Sequence, residues 1–155
     1  ISAMLCDDYR WGKCNIKSTS LLANVLSMNK AKALGCQDVV MHRDGYMTEA
    51  GASNVFYLNS TGAVRTSALS ENILPGITRQ LLINALKGTK YSVQEGKCNI
   101  GDFNTSPCIW LTSSTKGLLP ITKLIGSKYV LQEDCKEFSE VSELFKSAIQ
   151  SHLEA

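Results

Sequence analysis

The sequence predicts an α/β fold, on three observations. Short β-rich runs recur, several of them joined by two- to four-residue polar turns. Three stretches carry helical periodicity instead, around Leu22–Ala33, Gln80–Leu86 and Lys136–Ile149. Finally, 155 residues with 44% hydrophobic and 19% charged content suit one globular domain with a sizeable core.

In chain order, residues 1–6 form an apolar run that reads as a strand, broken by Asp7 and Asp8. Ser18, Thr19 and Ser20 offer N-caps for a helix whose apolar face carries Leu22, Val25 and Leu26, extended by Ala31 and Ala33, with Gly35 as its stop. Residues 38–42 and 46–48 read as a hairpin around Asp44-Gly45, a pair that favours positive φ. Glu49 ends that second strand, and Ala50-Gly51-Ala52-Ser53 is a run of small residues. Strands follow at 55–58 and 63–66, then a loop from Ser67 to Asn72. Pro75-Gly76 punctuates the chain ahead of a helix capped by Thr78 and closed by Gly88. Residues 91–94 and 108–112 read as strands, and residues 113–117 as a polar loop. Residues 118–124 read as one strand interrupted by Pro120, hence an edge or a bulge. From about Lys136, the residues Phe138, Val141, Phe145, Ala148 and Ile149 mark an amphipathic helix, with His152 in its last turn.

The bulk properties narrow the function. A net charge of +2, without basic runs interleaved with aromatics, argues against nucleic acid. No apolar stretch approaches the roughly 20 residues that cross a bilayer. Six cysteines without a C-x-x-C pair, and only two histidines, give no zinc pattern, and no metal site is expected. Unpaired thiols in that number fit a reducing, cytoplasmic setting. The chain opens on Ile1 within an apolar run and reads as one whose beginning has been lost, so a mitochondrial or plastid destination stays open. His42 is expected beside the turn, facing solvent.

Two residues carry the chemistry. A free lysine titrates near ~10.4, too high to attack a carbonyl well at neutral pH. At Lys17 the neighbouring Arg10, Lys13 and a helix N-terminus are cationic influences of the kind that favour the neutral, imine-forming amine. A cation at a helix start is otherwise electrostatically unfavourable. Glu49 lies 32 residues on, far enough for a helix and a hairpin to intervene and bring both groups to one end of a sheet. A carboxylate there would keep a pyridine nitrogen protonated and stabilise a carbanion. The small residues behind it leave room for a flat ring. Gly76-Ile77-Thr78 opens a helix, a natural anion site, and Ser113 and Ser114 lie in a loop after an apolar strand. Taken singly, each of these also fits a surface lysine, a strand-end glutamate or ordinary turn chemistry.

Three segments together resemble the fold-type IV (class IV) pyridoxal-phosphate-dependent aminotransferases. They are Arg10-Trp11 with Asn15-Ile16-Lys17-Ser18, Thr48-Glu49 through Ser53-Asn54-Val55-Phe56, and Ile73-Leu74-Pro75-Gly76-Ile77-Thr78-Arg79. The first is similar to the stretch found in D-amino acid aminotransferases, with Asn15 where Asp is usual. The resemblance implies the large C-terminal domain of that fold over residues 1–155, a curved multi-stranded pseudo-barrel sheet with flanking helices, and pyridoxal 5′-phosphate as cofactor. It implies that Lys17 is the catalytic residue, holding the cofactor as an imine and shuttling a proton, and that Glu49 faces the pyridine nitrogen. Leu74 would pack on the ring, and Ser53 and Asn54 would shape the pocket. Gly76, Ile77, Thr78, Ser113 and Ser114 would hold the phosphate. The implied reaction exchanges an amino group between an amino acid, a D-amino acid by preference, and a 2-oxo acid. Branched-chain aminotransferases and aminodeoxychorismate lyase share the pattern, and an inactive cofactor- or partner-binding fragment is a further alternative. The family has roughly twice this length and works as a homodimer. Its N-terminal small domain is absent here, so a homodimer or a complementing N-terminal domain is the expected partner, docking on exposed apolar surface.

Overall fold

A computed structural model describes residues 1–131 and 135–153, with side chains through 151. The expectation for the His152 side chain therefore falls outside the described residues. The elements are β1 (Ser2–Asp7), α1 (Leu22–Ala33), β2 (Asp38–Arg43), β3 (Tyr46–Ala50), β4 (Asn54–Leu58), β5 (Val64–Ser67), α2 (Ile77–Leu86), β6 (Gln94–Gly96), a 3-10 turn (Ile100–Thr105), β7 (Ile109–Ser113), β8 (Gly117–Pro120), β9 (Lys123–Ile125) and α3 (Lys136–Leu153). The α/β class is as expected. The strands pair as two sheets, in the orders β3-β2-β1-β9 and β6-β5-β4-β7-β8.

Period-two alternation sorts the side chains into three hydrophobic layers. Ala3, Val40, Val55, Tyr57, Ile109 and Leu111 point between the sheets and form the central core with Phe103, Ile121 and Leu124. On the far side of the five-stranded sheet, Phe56, Leu58 and Trp110 pack on Leu82 and Leu86 of α2 and on Val141 and Phe145 of α3. On the far side of the four-stranded sheet, Met4, Val39 and Met41 meet Ala31. The hairpin turn is as the sequence reads: Asp44 and Gly45 both have positive φ, 50° and 78°.

Several expectations change. The run 118–124 is two strands: Pro120 ends β8 at the edge of one sheet, and β9 joins the edge of the other. Proline offers no N–H for a continued ladder. Ile121 turns inward to donate to the Ile109 carbonyl at 2.9 Å, and Thr122 donates to the Ile1 carbonyl at 2.7 Å. The strand at 91–94 moves to Gln94–Gly96, because the Tyr91 ring is drawn into the α2–α3 layer and its hydroxyl donates to Glu140 at 2.9 Å. The caps also differ. Leu21, not Ser18–Ser20, precedes α1, and Gly76, not Thr78, precedes α2, neither with a side-chain cap bond. The apolar face assigned to α1 is not buried: Leu22, Val25 and Leu26 are 71%, 50% and 54% exposed, and Ala31 makes the buried contact. His42 is half-buried, with Nδ1 3.7 Å from Asp7, rather than solvent-facing.

The α3 contact is testable. Phe145→Ala should cost about 3–5 kcal/mol, the usual penalty for emptying a buried aromatic site, read as a lower midpoint in urea denaturation followed by circular dichroism. An unchanged midpoint would show that α3 does not share the core.

Candidate functional site

At one end of the sandwich the chain passes from the four-stranded to the five-stranded sheet through residues 51–53, and Ala50 N–H donates to the Ser53 carbonyl at 2.8 Å across the crossing. Around that crossing gather the segment after β1, the N-terminus of α2 and the end of β7. Together they enclose a cavity of about 490 Å³. All ten residues singled out from the sequence line it: Lys17, Glu49, Ser53, Asn54, Leu74, Gly76, Ile77, Thr78, Ser113 and Ser114. Lys17 is exposed to the cavity mouth, and among the described residues nothing hydrogen-bonds or pairs with its amine.

Glu49 is held from three sides. It is buried on β3, and its Oε1 accepts a close hydrogen bond from Arg10 Nη1. Its Oε2 accepts from Leu74 N–H at 3.0 Å and from the Asn54 amide at 3.3 Å. A carboxylate offers about four acceptor positions, so one remains, on the oxygen facing Arg10. Burial pushes the Glu49 carboxyl up against the downward pull of Arg10.

In the sequence Arg10 is a cation near Lys17 and part of a motif segment, with no role of its own. The structure gives it a specific task as a bridge. Its Nε and Nη2 donate to Asp8 at 2.8 Å each, and Nη2 also donates to the Asn72 carbonyl at 2.9 Å. Thr48 Oγ1 donates to Asp8 at 2.9 Å. For Asp8, burial works upward, but Arg10 and Thr48 outweigh it and hold the carboxyl below its ordinary value. Burial disfavours the Arg10 charge, and Asp8 and Glu49 overcompensate, keeping the guanidinium firmly protonated. Arg10-Trp11 in the motif was the only sequence signal for this bridge.

The far end of the cavity suits an anion. Gln80 N–H, bonded to the Gly76 carbonyl at 3.1 Å, is the first donor of the α2 ladder, so the N–H groups of Ile77, Thr78 and Arg79 precede it without intrahelical partners. Gly76 is required there: a Cβ would stand 2.2 Å from Asn54 Oδ1. The Asn54 amide also donates to the Leu74 carbonyl at 2.9 Å, locking the turn ahead of the helix. Arg79, fully buried, anchors the first turn of α2 by donating to the Ser67 carbonyl at 3.0 Å and pairing with Glu95. At the end of β7, Ser113 Oγ accepts from Lys116 N–H, and Ser114 is exposed. Thr112 also lines the cavity, and its buried hydroxyl has no partner among the described residues. The sequence gives Thr112 no role of its own beside Ser113 and Ser114, and it gives no sign of Asn24 of α1. Among the described residues no cluster of His, Cys, Asp and Glu could hold a metal ion, and no helix is long and apolar enough to cross a membrane.

The Asp8–Arg10 pair sets a pH signature. A depressed carboxyl stabilises the fold above its unfolded value of 3.8, and that contribution is lost as pH falls through the lower folded value. Asp8→Asn should therefore cost about 3 kcal/mol at neutral pH, the low end for breaking a buried pair, because Glu49 still neutralises Arg10. In urea titrations the gap to the unaltered chain should hold steady above pH 3.8 and close below it.

Comparison with known proteins bears on this geometry. The model of the family described as amino-transferase class IV matches residues 1–124. The D-alanine aminotransferase of Listeria innocua is 36% identical over 125 residues, covering 81% of this chain and 43% of that protein. The pyridoxal-phosphate-bound form of a hypothetical aminotransferase from Mycobacterium tuberculosis superimposes with a TM-score of 0.83 at 23% identity, over 97% of this chain and 56% of that one. The branched-chain amino acid aminotransferase of Escherichia coli gives 0.76 at 18% identity, over 94% and 50%. These two likenesses establish the fold, and the chain spans about half the length of the relatives it matches. With a family match across four-fifths of its residues, the chain belongs to the class IV aminotransferases.

Proposed function

We propose that this chain is the cofactor-binding large domain of a pyridoxal 5′-phosphate-dependent transaminase that moves an amino group between a D-amino acid and a 2-oxo acid. The carrying observation is the single cavity that holds an unpartnered lysine amine, a buried carboxylate with one acceptor position left, and a helix N-terminus with free N–H groups. Those are the three chemical demands of a ring that bears an aldehyde, a pyridine nitrogen and a phosphate. The residues fit it: Lys17 for the aldehyde carbon, Glu49 for the ring nitrogen, Leu74 for the ring face, and Gly76, Ile77, Thr78, Ser113 and Ser114 for the phosphate, with Ser53 and Asn54 shaping the wall. When bound, the cofactor supplies an electron sink for the substrate's α-carbon. The chain's own part is to orient and to move protons. Glu49, kept in place by Arg10, Leu74 and Asn54, favours a protonated nitrogen opposite it. The Lys17 amine, uncommitted to any described residue, is free to carry a proton at the cavity mouth.

D-amino acids are favoured because the Listeria innocua relative is a D-alanine aminotransferase. The site is incomplete in one respect. Tyr9, Trp11, Ile16, Leu21, Leu22, Val25, Leu26 and Ile77 leave apolar surface exposed around and beyond the mouth. A complementing N-terminal domain or a second subunit on this surface would exclude water and add the groups that hold a substrate carboxylate. The six free thiols support a reducing, cytoplasmic setting.

With added pyridoxal 5′-phosphate the chain should develop a visible absorbance band that borohydride removes by reducing the imine, leaving the cofactor attached as a secondary amine, and peptide mapping should place the adduct on Lys17. Lys17→Ala should show neither band nor adduct; a band that persists in this variant refutes the assignment. In a longer protein that restores the preceding region, D-alanine should serve as donor to 2-oxoglutarate in preference to L-leucine. Glu49→Ala should lower that rate by about 10²–10³, the scale for removing one preorganised electrostatic partner.

A further inference from the structure

Two side chains outside the sequence-derived set converge on one residue of the cavity wall, Gly51. Asn24, on α1 seven residues beyond Lys17, donates from Nδ2 to the Gly51 carbonyl at 2.8 Å. Asp38, buried at the start of β2, accepts the Gly51 N–H on Oδ1 at 3.1 Å and its neighbour's Val39 N–H at 2.8 Å. Both polar ends of the Gly51 residue are thus gripped, one by the helix that follows the lysine and one by the sheet that carries the acid. The space above Gly51 is filled as well: a Cβ there would lie 2.7 Å from Met28 Sδ and 2.9 Å from Asp38 Oδ1. Gly51 sits between Glu49, two residues before it, and Asn54, three residues after it, and all three line the cavity. Nothing else in the hydrogen-bond network of the described residues links α1 directly to this crossing.

We propose that Asn24 and Asp38 are positioning residues: by clamping Gly51 they fix the spacing between the Lys17 segment and the Glu49–Asn54 crossing, and so the width of the slot that receives the ring. This rests on the cofactor assignment above and adds the pair that sets its geometry. Neither side chain reacts, and each acts through the backbone of Gly51.

The test uses the 155-residue chain titrated with pyridoxal 5′-phosphate. Asn24→Asp keeps the size of the side chain but sets an acceptor against the Gly51 carbonyl. It should weaken cofactor binding about two- to tenfold, the range for one lost hydrogen bond, and should shift the pH midpoint of the absorbance band. Asp38→Asn keeps an acceptor oxygen and should hold both quantities near those of the unaltered chain, whereas Asp38→Ala should move both. Should Asp38→Ala fail to fold, Asn24→Asp, half-buried on the helix surface, carries the test alone. A purely structural role would lower the urea midpoint while leaving affinity and the pH midpoint of the folded variants untouched. That result overturns the proposal and spares the cofactor assignment. Absence of a band in the unaltered chain overturns both.

Discussion

The site depends on a buried charge cluster, Asp8–Arg10–Glu49. Three ionised groups are expensive to remove from water unless each is neutralised and hydrogen-bonded. Here the Arg10 guanidinium serves both carboxylates, Arg43 Nε stands 3.3 Å from Asp8 as a second cation, and Thr48, Leu74 and Asn54 supply further donors. Asp8 follows β1, Glu49 lies on β3 one residue before its end, and Arg10 also reaches the Asn72 carbonyl in the loop before α2. The cluster therefore joins three segments distant in sequence, and the cavity is the space they enclose.

Around this anchor, rigidity is graded. The acid side of the cavity is buried and cross-linked: Glu49 accepts from three segments, Asn54 contacts Glu49, Leu74 and Gly76, and Arg79 fastens the start of α2. The lysine side is different. Beyond Arg10, residues 11–21 are mostly exposed, held by Arg43 to the Trp11 carbonyl, by Lys13 pairing with Glu71 and by Asn15 N–H to the Glu71 carbonyl at 3.3 Å. The side that would grip a ring nitrogen is buried and cross-linked, while the side that would make and break a covalent link is exposed and carries fewer hydrogen bonds.

Much of this was legible in the sequence because it is local or carried by short motifs. Alternation located the strands, Asp44-Gly45 fixed the hairpin, and the three motif segments picked out residues that do line one cavity. What was illegible depends on contacts between distant segments. Leu22, Val25 and Leu26 have the spacing of a buried face, but periodicity does not say whether anything covers it, and in this chain nothing described does. Pro120 marked a break, yet only the three-dimensional pairing of Thr122 with Ile1 shows that the strand changes sheets. Asn24 and Asp38 are ordinary polar residues in the sequence, distinguished only by what lies opposite them after folding; Arg10 stands in a motif segment, but its two carboxylate partners are visible only in the fold.

The two sheet-to-sheet passages have a mechanical result. One, at 51–53, leaves the β3 edge of the four-stranded sheet beside the cavity; the other, at 121–122, enters that sheet at its opposite edge, β9. Sheets stitched at both extremities resist splaying apart like a hinged book. Any give in the cavity wall is then left to the exposed stretch beyond Arg10, residues 15–21, with the sandwich as the fixed frame.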